Sequence, residues 1–189
     1  MNLCTQNAPC VGKAFPPRAL QHQDAVVQAI SSVFSLPQNQ FKALSQGGGR
    51  ALEKLIRSYQ YWASECGATG ANPYDDLHLG YFRMTPLACM SGDIKLLHRE
   101  HVVPIARLAI ELVHERTTGM GAVSVAAAQQ IMQLNEIVLV HKSEERLLNK
   151  SYRCKMHPTW DPSQSHLDRL TRVLGLSSSS LCGQRLIGP

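Results

Sequence analysis

One short run of branched apolar residues constrains this sequence most, because it is the clearest strand candidate in the chain. Ile137-Val138-Leu139-Val140 is continuous and apolar, and it is short enough to be a buried strand. Elsewhere apolar residues recur at intervals of three and four positions, as they do on the buried face of a helix. We therefore predict an α+β fold that is mostly helical, with a small β-hairpin embedded among the helices.

A second extended segment precedes this run in the chain. Residues 94–103 include β-branched residues and end at Pro104, which favours a short strand that stops there. A helix is predicted after Pro104, with a break at residues 119–121, and an Ala-rich helix is predicted over about 123–134. Ser143 is expected to cap the helix that follows the apolar run.

The length of 189 residues suits one domain of ordinary size. Residues 1–20 are polar and contain prolines, and we expect an irregular arm there. Residues 21–176 are predicted to form a single globular domain, with further helices over 50–66 and 166–176. The serine run and the residues after it, 177–189, are expected to form a loose tail.

Composition and charge exclude several classes of protein. The chain is 44% hydrophobic and 17% charged, which argues against disorder, collagen and a coiled-coil rod. Nineteen Lys and Arg against 14 Asp and Glu give a net charge of +5, a modest attraction to polyanions that decides nothing alone. The six cysteines include no C-x-x-C pair, so a zinc knuckle is not expected. With no signal-like start and no apolar run of membrane length, we expect a cytoplasmic protein with reduced thiols and no membrane partner.

The densest cluster of chemically active side chains is His98-Arg99-Glu100-His101. A neutral imidazole can accept a proton near pH 7, a carboxylate can hold a hard divalent cation, and a guanidinium can steady a phosphate. Metal-assisted hydrolysis of a phosphodiester needs these groups. Because side chains alternate along a strand, Glu100 and His101 can share a site only at a strand end or a bulge. A solvated charged segment is the alternative interpretation.

The segment Glu100-His101-Val102-Val103-Pro104 resembles the first motif of the HNH, or ββα-metal, nucleases. In that family an acidic residue and a histidine precede two branched residues and a proline. A second strand, entered near an asparagine, and a helix with a metal ligand complete the unit. Residues 135–146 are similar to this second half, and the 34 positions between His101 and Asn135 leave room for a helical insertion. The resemblance covers about 50 residues within positions 94–150.

The resemblance implies a role for each matching residue. His101 would be the general base that activates water, Glu100 the first metal ligand, and Asn135 the residue that braces the loop orienting His101. The family usually has Asn or His as a ligand on the helix, whereas this helix offers Glu145 and, one turn later, Asn149. The implied cofactor is a divalent metal, Mg²⁺ in the first place, with Mn²⁺ or Zn²⁺ as alternatives.

Basic side chains near these segments are candidates for contacts with a nucleic-acid backbone. They are Arg50, Lys54, Arg57, Arg99 and Lys142. A solvated surface is the alternative for the first three, which share a face of the predicted helix over 50–66. His141 follows the apolar run directly and is a weaker candidate for contact with metal or phosphate.

The leading hypothesis is a metal-dependent DNA endonuclease that hydrolyses phosphodiester bonds with a histidine general base. The alternative is a non-enzymatic, mostly helical module that binds nucleic acid or a protein partner. A zinc hydrolase of the H-E-x-x-H type is disfavoured, because His98 and His101 are only three positions apart in a segment without helical pattern. Whether a homodimer places two centres across a duplex is left open by the sequence.

Overall fold

Helices make up most of the structure. The computed structural model describes residues 17–46, 50–60, 82–91, 93–153 and 155–183. In chain order the elements are α1 (Pro17–Phe34), α2 (Gln38–Gln46), α3 (Arg50–Ser58), β1 (Arg83–Met84), α4 (Pro86–Ser91), β2 (Leu97–His101), α5 (Ile105–Thr118), α6 (Val125–Met132), β3 (Ile137–His141), α7 (Lys142–Ser151) and α8 (Asp168–Leu174). The predicted α+β class with a small sheet among helices is confirmed.

The sheet has three strands in the order β1-β3-β2. β3 is the apolar run singled out in the sequence, and Val138, Leu139 and Val140 are fully buried in it. β2 pairs antiparallel with β3, with Glu100 opposite Val138 and His101 opposite Ile137. β1 pairs parallel with β3 on its other side and adds a strand to the expected hairpin. α7 follows β3 directly, and α5 and α6 form the helical insertion between β2 and β3.

Two apolar cores lie on either side of the β2–α5 junction. The larger core joins α1, α2, α3, α5 and α6, and the smaller one lies between the sheet, α7 and α8. At this junction the side chains of two adjacent residues pack in different cores. Val102 packs in the smaller core and Val103 in the larger one. Both are 1% exposed or less, so the chain leaving β2 is fixed from two sides.

The helices of the insertion start and stop close to their predicted positions. α5 begins directly after Pro104 and ends before Gly119, and Ser124 caps α6 by accepting the backbone N–H of Ala127 at 3.1 Å. The predicted cap of α7 is wrong. The N-cap is His141, whose Nδ1 accepts the N–H of Ser143, because β3 runs without a loop into the helix.

Both ends of the expected domain also differ from prediction. α1 begins at Pro17, so the arm expected over 1–20 cannot extend past residue 16, and residues 1–16 lie outside the described ranges.

Residues 177–183 are not a loose tail. Cys182 exchanges two backbone hydrogen bonds with Met84, at 2.8 and 2.9 Å, and Leu181 is 7% exposed. Residues 184–189 lie outside the described ranges, as do residues 61–66 of the helix predicted over 50–66.

None of the helices in the described ranges is both long enough and apolar enough to cross a bilayer.

A buried ionic network ties the C-terminal segment to the sheet. Arg83 donates to both carboxylate oxygens of Glu136, at 2.6 and 2.8 Å, and to the hydroxyl of Ser178 at 2.8 Å. His166 Nε2 lies 2.6 Å from the same carboxylate. Burial alone would raise the pKa of Glu136, but the hydrogen bonds and charges of His166 and Arg83 outweigh it, and the pKa is lowered.

We predict that Glu136→Gln destabilises the protein by about 3 kcal/mol at pH 7, because Arg83 stays buried without its counter-charge. The lowered pKa of Glu136 means that its stabilising contribution is present at neutral pH and is lost as the pH falls through the folded-state value. The difference in the free energy of unfolding between wild type and Glu136→Gln, measured with urea, should therefore become smaller as the pH is lowered.

Arg172→Gln is the control, since Arg172 is 42% exposed in its ion pair with Asp168. We expect it to cost less than about 1 kcal/mol. Equal stability of Glu136→Gln and wild type at pH 7, or a difference that widens in acid, would contradict the interpretation.

Candidate active site

A cleft of about 550 Å³ lies along the edge strand β2, where α3, the start of α5 and α7 come together. Its lining is rich in groups that titrate or carry charge. They are Glu53, Arg57, His98, Arg99, Glu100, His101, Glu145, Arg153 and Arg169.

Glu100 and His101 both line this cleft although they are adjacent in a strand. The strand explains how this happens, because His101 is the last residue of β2. The chain turns away immediately after it, with the N–H of Val102 bonded to the carbonyl of Glu136 at 2.9 Å. Of the two arrangements that the sequence allowed, the strand end is the one found.

Asn135 holds the imidazole of His101 in one orientation. The side-chain amide of Asn135 is buried, and its Nδ2 donates to the carbonyl of Ile56 in α3 at 2.9 Å. That bond fixes which way the amide points, so Oδ1 faces Nδ1 of His101 at 3.1 Å. An amide oxygen only accepts hydrogen bonds, and Nδ1 must therefore carry the proton. Nε2 is left as the acceptor of the ring.

The backbone on either side of this contact is also fixed. Gln60, just beyond α3, donates from its side chain to the carbonyl of Asn135. Asn135 thus uses its side chain and its carbonyl to tie the loop before β3 to α3. The sequence prediction had Asn135 bracing the loop that orients His101; in the structure Asn135 bonds to α3 and also directly to the His101 ring.

The pKa of His101 is lowered to about 4. Burial is the largest cause, since it penalises the charged ring, and the hydrogen bond to Asn135 partly opposes it. The positive charges of Arg57, His98 and Arg169 lower the value further. At pH 7 the ring is therefore neutral, with Nε2 able to accept a proton.

Glu100 shares its carboxylate between two neighbours. Arg169, which is 1% exposed, lies 2.8 Å from Oε1, while Oε2 lies 3.6 Å from Nε2 of His98. The same Arg169 guanidinium donates to the carbonyls of His101, at 3.1 Å, and Arg153, at 2.9 Å. Burial raises the pKa of Glu100, and the charges of Arg169 and His98 only partly offset it.

Glu145 brings a second carboxylate to the cleft from the first turn of α7. Its Oε1 lies 3.7 Å from Nε2 of His98 and accepts a hydrogen bond of 3.3 Å from the side-chain amide of Asn149. The imidazole of His98 therefore lies close to both Glu100 and Glu145. Asn149, which also lines the cleft, acts as a donor to Glu145 in this arrangement.

The donors suit a hard divalent cation in chemical type. Mg²⁺ is commonly held by one or two carboxylates, with water and phosphate oxygens completing the shell. Glu100 and Glu145 meet that requirement, and Oε2 of Glu100 is the oxygen that Arg169 leaves available. Among the described residues, no group of three or more His, Cys, Asp and Glu side chains is placed to hold a metal ion. A cation here would have at most these two carboxylates as protein ligands, with water and substrate oxygens completing its shell.

The cleft collects most, though not all, of the residues predicted for the site. Glu100, His101, Glu145, Asn149, Arg57 and Arg99 line it, and Asn135 contacts His101 from behind. Lys54 and Lys142 are exposed and lie outside its lining. Arg50 begins α3, and its side chain is outside the described part of the structure. His141 contacts Ser143 as the cap of α7 and does not line the cleft.

The sequence prediction assigned no site role to four charged or titratable residues of the cleft, Glu53, His98, Arg153 and Arg169. His98 carried a usable signal, because positions 98 and 100 point to the same face of a strand. Arg169 carried none, because it lies in α8 and is 69 positions from Glu100 in the chain. The position of a buried arginine in a short helix far along the chain gives no indication of which carboxylate it pairs with.

Comparisons of this chain with protein-family models, curated protein sequences and solved structures found no match.

We predict that nitrogen-15 NMR of the His101 ring will show the neutral form with the proton on Nδ1, and a titration midpoint near 4. Asn135→Ala removes the acceptor for Nδ1–H, so the ring should then populate both tautomers. Circular dichroism of the variant would show whether it remains folded. A proton on Nε2 in the wild type, or a midpoint near 6.5, would contradict the assignment.

Proposed function

We propose that this protein is a metal-dependent endonuclease that hydrolyses phosphodiester bonds in DNA, with His101 as its general base. One observation carries the proposal: a neutral imidazole, held by Asn135, shares a cleft with two carboxylates and several arginines. Each group supplies something that phosphodiester hydrolysis needs, and the family resemblance of the motif points the same way.

The environment of His101 suits the acceptance of a proton from water. Its pKa of about 4 keeps the ring neutral at pH 7, and Nε2 is its acceptor. Once Nε2 takes a proton, the bond from Nδ1–H to Asn135 strengthens, because it favours the charged ring. A bound phosphate would favour the same charged form. Substrate in the cleft would thus bring the basicity of His101 closer to the working pH.

Glu100 and Glu145 are the residues that would hold the cation in this proposal, and Asn149 would support Glu145. When bound, a divalent metal polarises the scissile phosphate and stabilises charge on the leaving oxygen. Arg169 fixes Glu100 from the protein side, so one carboxylate oxygen stays directed away from it. That oxygen, Oε2, is the one that would be offered to a cation.

The arginines of the cleft suit a polyanionic substrate. Arg57, Arg99, Arg153 and Arg169 all line the cleft, alongside a net charge of +5 for the whole chain. Guanidinium groups bind phosphate oxygens well, because their planar fork matches the phosphate geometry. Because water is the nucleophile in this proposal, the reaction does not need a 2′-hydroxyl on the substrate. DNA, which lacks that hydroxyl, can therefore be the substrate.

We predict that the protein nicks supercoiled plasmid in the presence of Mg²⁺ or Mn²⁺ and loses this activity in EDTA. His101→Ala should reduce the cleavage rate by about 10²–10⁴-fold, the usual contribution of a general base, while DNA binding is kept. Agarose-gel assays under single-turnover conditions measure the rate.

His114→Ala is the matched control, because His114 is an exposed histidine of α5 that does not line the cleft. It should cleave at the wild-type rate. Cleavage by His101→Ala at the wild-type rate would show that His101 is not the general base. DNA binding without cleavage under any metal would favour the binding module instead.

We also predict that Glu145→Gln raises the Mg²⁺ concentration needed for half-maximal cleavage at least tenfold, because a neutral amide is a weaker ligand for a hard cation. Glu53→Gln is the control, since Glu53 lines the same cleft but lies on α3. The metal titration of that variant should follow the wild type. Equal Mg²⁺ requirements for both variants would exclude Glu145 as a ligand.

A further inference from the structure

Arg153 has a backbone conformation that favours glycine. Its φ angle is 34°, in the left-handed region, directly after Tyr152, the C-cap of α7. Helices commonly end in this conformation, and glycine usually occupies the position because it has no Cβ to clash with the backbone. An arginine at this position therefore replaces the residue that the backbone prefers.

The conformation is held by hydrogen bonds on both sides of the residue. The N–H of Arg153 lies 3.2 Å from the carbonyls of both Leu148 and Asn149, which closes the last turn of α7. Its own carbonyl accepts a hydrogen bond of 2.9 Å from Arg169. Because Arg169 also contacts Glu100 and the carbonyl of His101, the position of Arg153 is fixed relative to the catalytic cleft.

The side chain of Arg153 lacks the ion pairs that Arg169 and Arg107 make. It is exposed and borders the cleft, and its guanidinium makes no hydrogen bond or ion pair in the described part of the chain. By contrast, Arg169 is paired with Glu100 and Arg107 with Glu111. Arg57, at the end of α3, also borders the cleft with no such partner among the described residues.

We propose that Arg153, together with Arg57, binds a backbone phosphate of the nucleic acid in the cleft, and that this role explains an arginine at a position suited to glycine. The inference rests on the proposed function and adds to it a residue outside the motif. Two unpaired guanidiniums at one cleft suit a phosphodiester, because each can donate two hydrogen bonds to its oxygens.

The test measures DNA binding separately from cleavage. Fluorescence anisotropy of a labelled DNA duplex, at several salt concentrations, is recorded with the full chain carrying His101→Ala. To this parent are added Arg153→Gly, Arg153→Lys, Arg57→Gln or Arg146→Gln. Arg146 is the matched control, because it is an exposed arginine of α7 that does not line the cleft.

We expect Arg153→Gly to weaken DNA binding at least tenfold. The slope of the logarithm of the binding constant against the logarithm of the salt concentration should fall in magnitude by about one, the amount for one phosphate contact. Arg57→Gln should act similarly, Arg153→Lys should lose less, and Arg146→Gln should stay within twofold of the parent. The melting temperature of Arg153→Gly should equal or exceed that of the parent, since glycine relieves the backbone.

Binding by Arg153→Gly within twofold of Arg146→Gln would overturn the inference, and so would a lower melting temperature. If the expected losses of binding occur but the wild-type protein cleaves no DNA with any metal, the proposed nuclease activity is wrong. Phosphate binding by Arg153 and Arg57 is still supported in that case. A parent that binds no DNA would overturn both.

Discussion

The antiparallel pairing of β2 with β3 is the contact on which the cleft depends. It places Glu100 and His101 beside the strand that runs directly into α7, and so brings Glu145 within reach of them. The insertion of α5 and α6 between these strands adds a core without disturbing their register, because Val102 and Val103 anchor the junction in separate cores. Without this pairing His101 and the two carboxylates would belong to separate surfaces.

Buried polar groups then set the orientation of the reactive side chains. Asn135 fixes His101 while bonding to α3, and Arg169 fixes Glu100 while bonding to two backbone carbonyls. Such networks stabilise a fold only when all of their members are present, since a lone buried charge or amide is costly. The same groups that hold the segments together therefore determine which nitrogen of His101 accepts and which oxygen of Glu100 remains available.

Local patterns predicted local structure well and distant partners poorly. The apolar run forms β3, and Pro104 marks the start of α5, since branching and proline act on the nearby backbone. Pro17 begins α1, a position that proline favours, whereas the sequence prediction placed the prolines of residues 1–20 in an irregular arm. Arg169 and the pairing of Cys182 with Met84 depend on contacts between distant segments, which spacing does not encode.

Chemical rescue tests the proposed general-base role of His101 most directly. In His101→Gly the ring is removed and space is left for imidazole, so added imidazole should restore cleavage of plasmid DNA in proportion to its free-base concentration. Glu100→Gln should gain nothing from imidazole, because it keeps the ring and lacks the carboxylate. A folded, DNA-binding His101→Gly variant whose cleavage does not respond to imidazole would contradict the account.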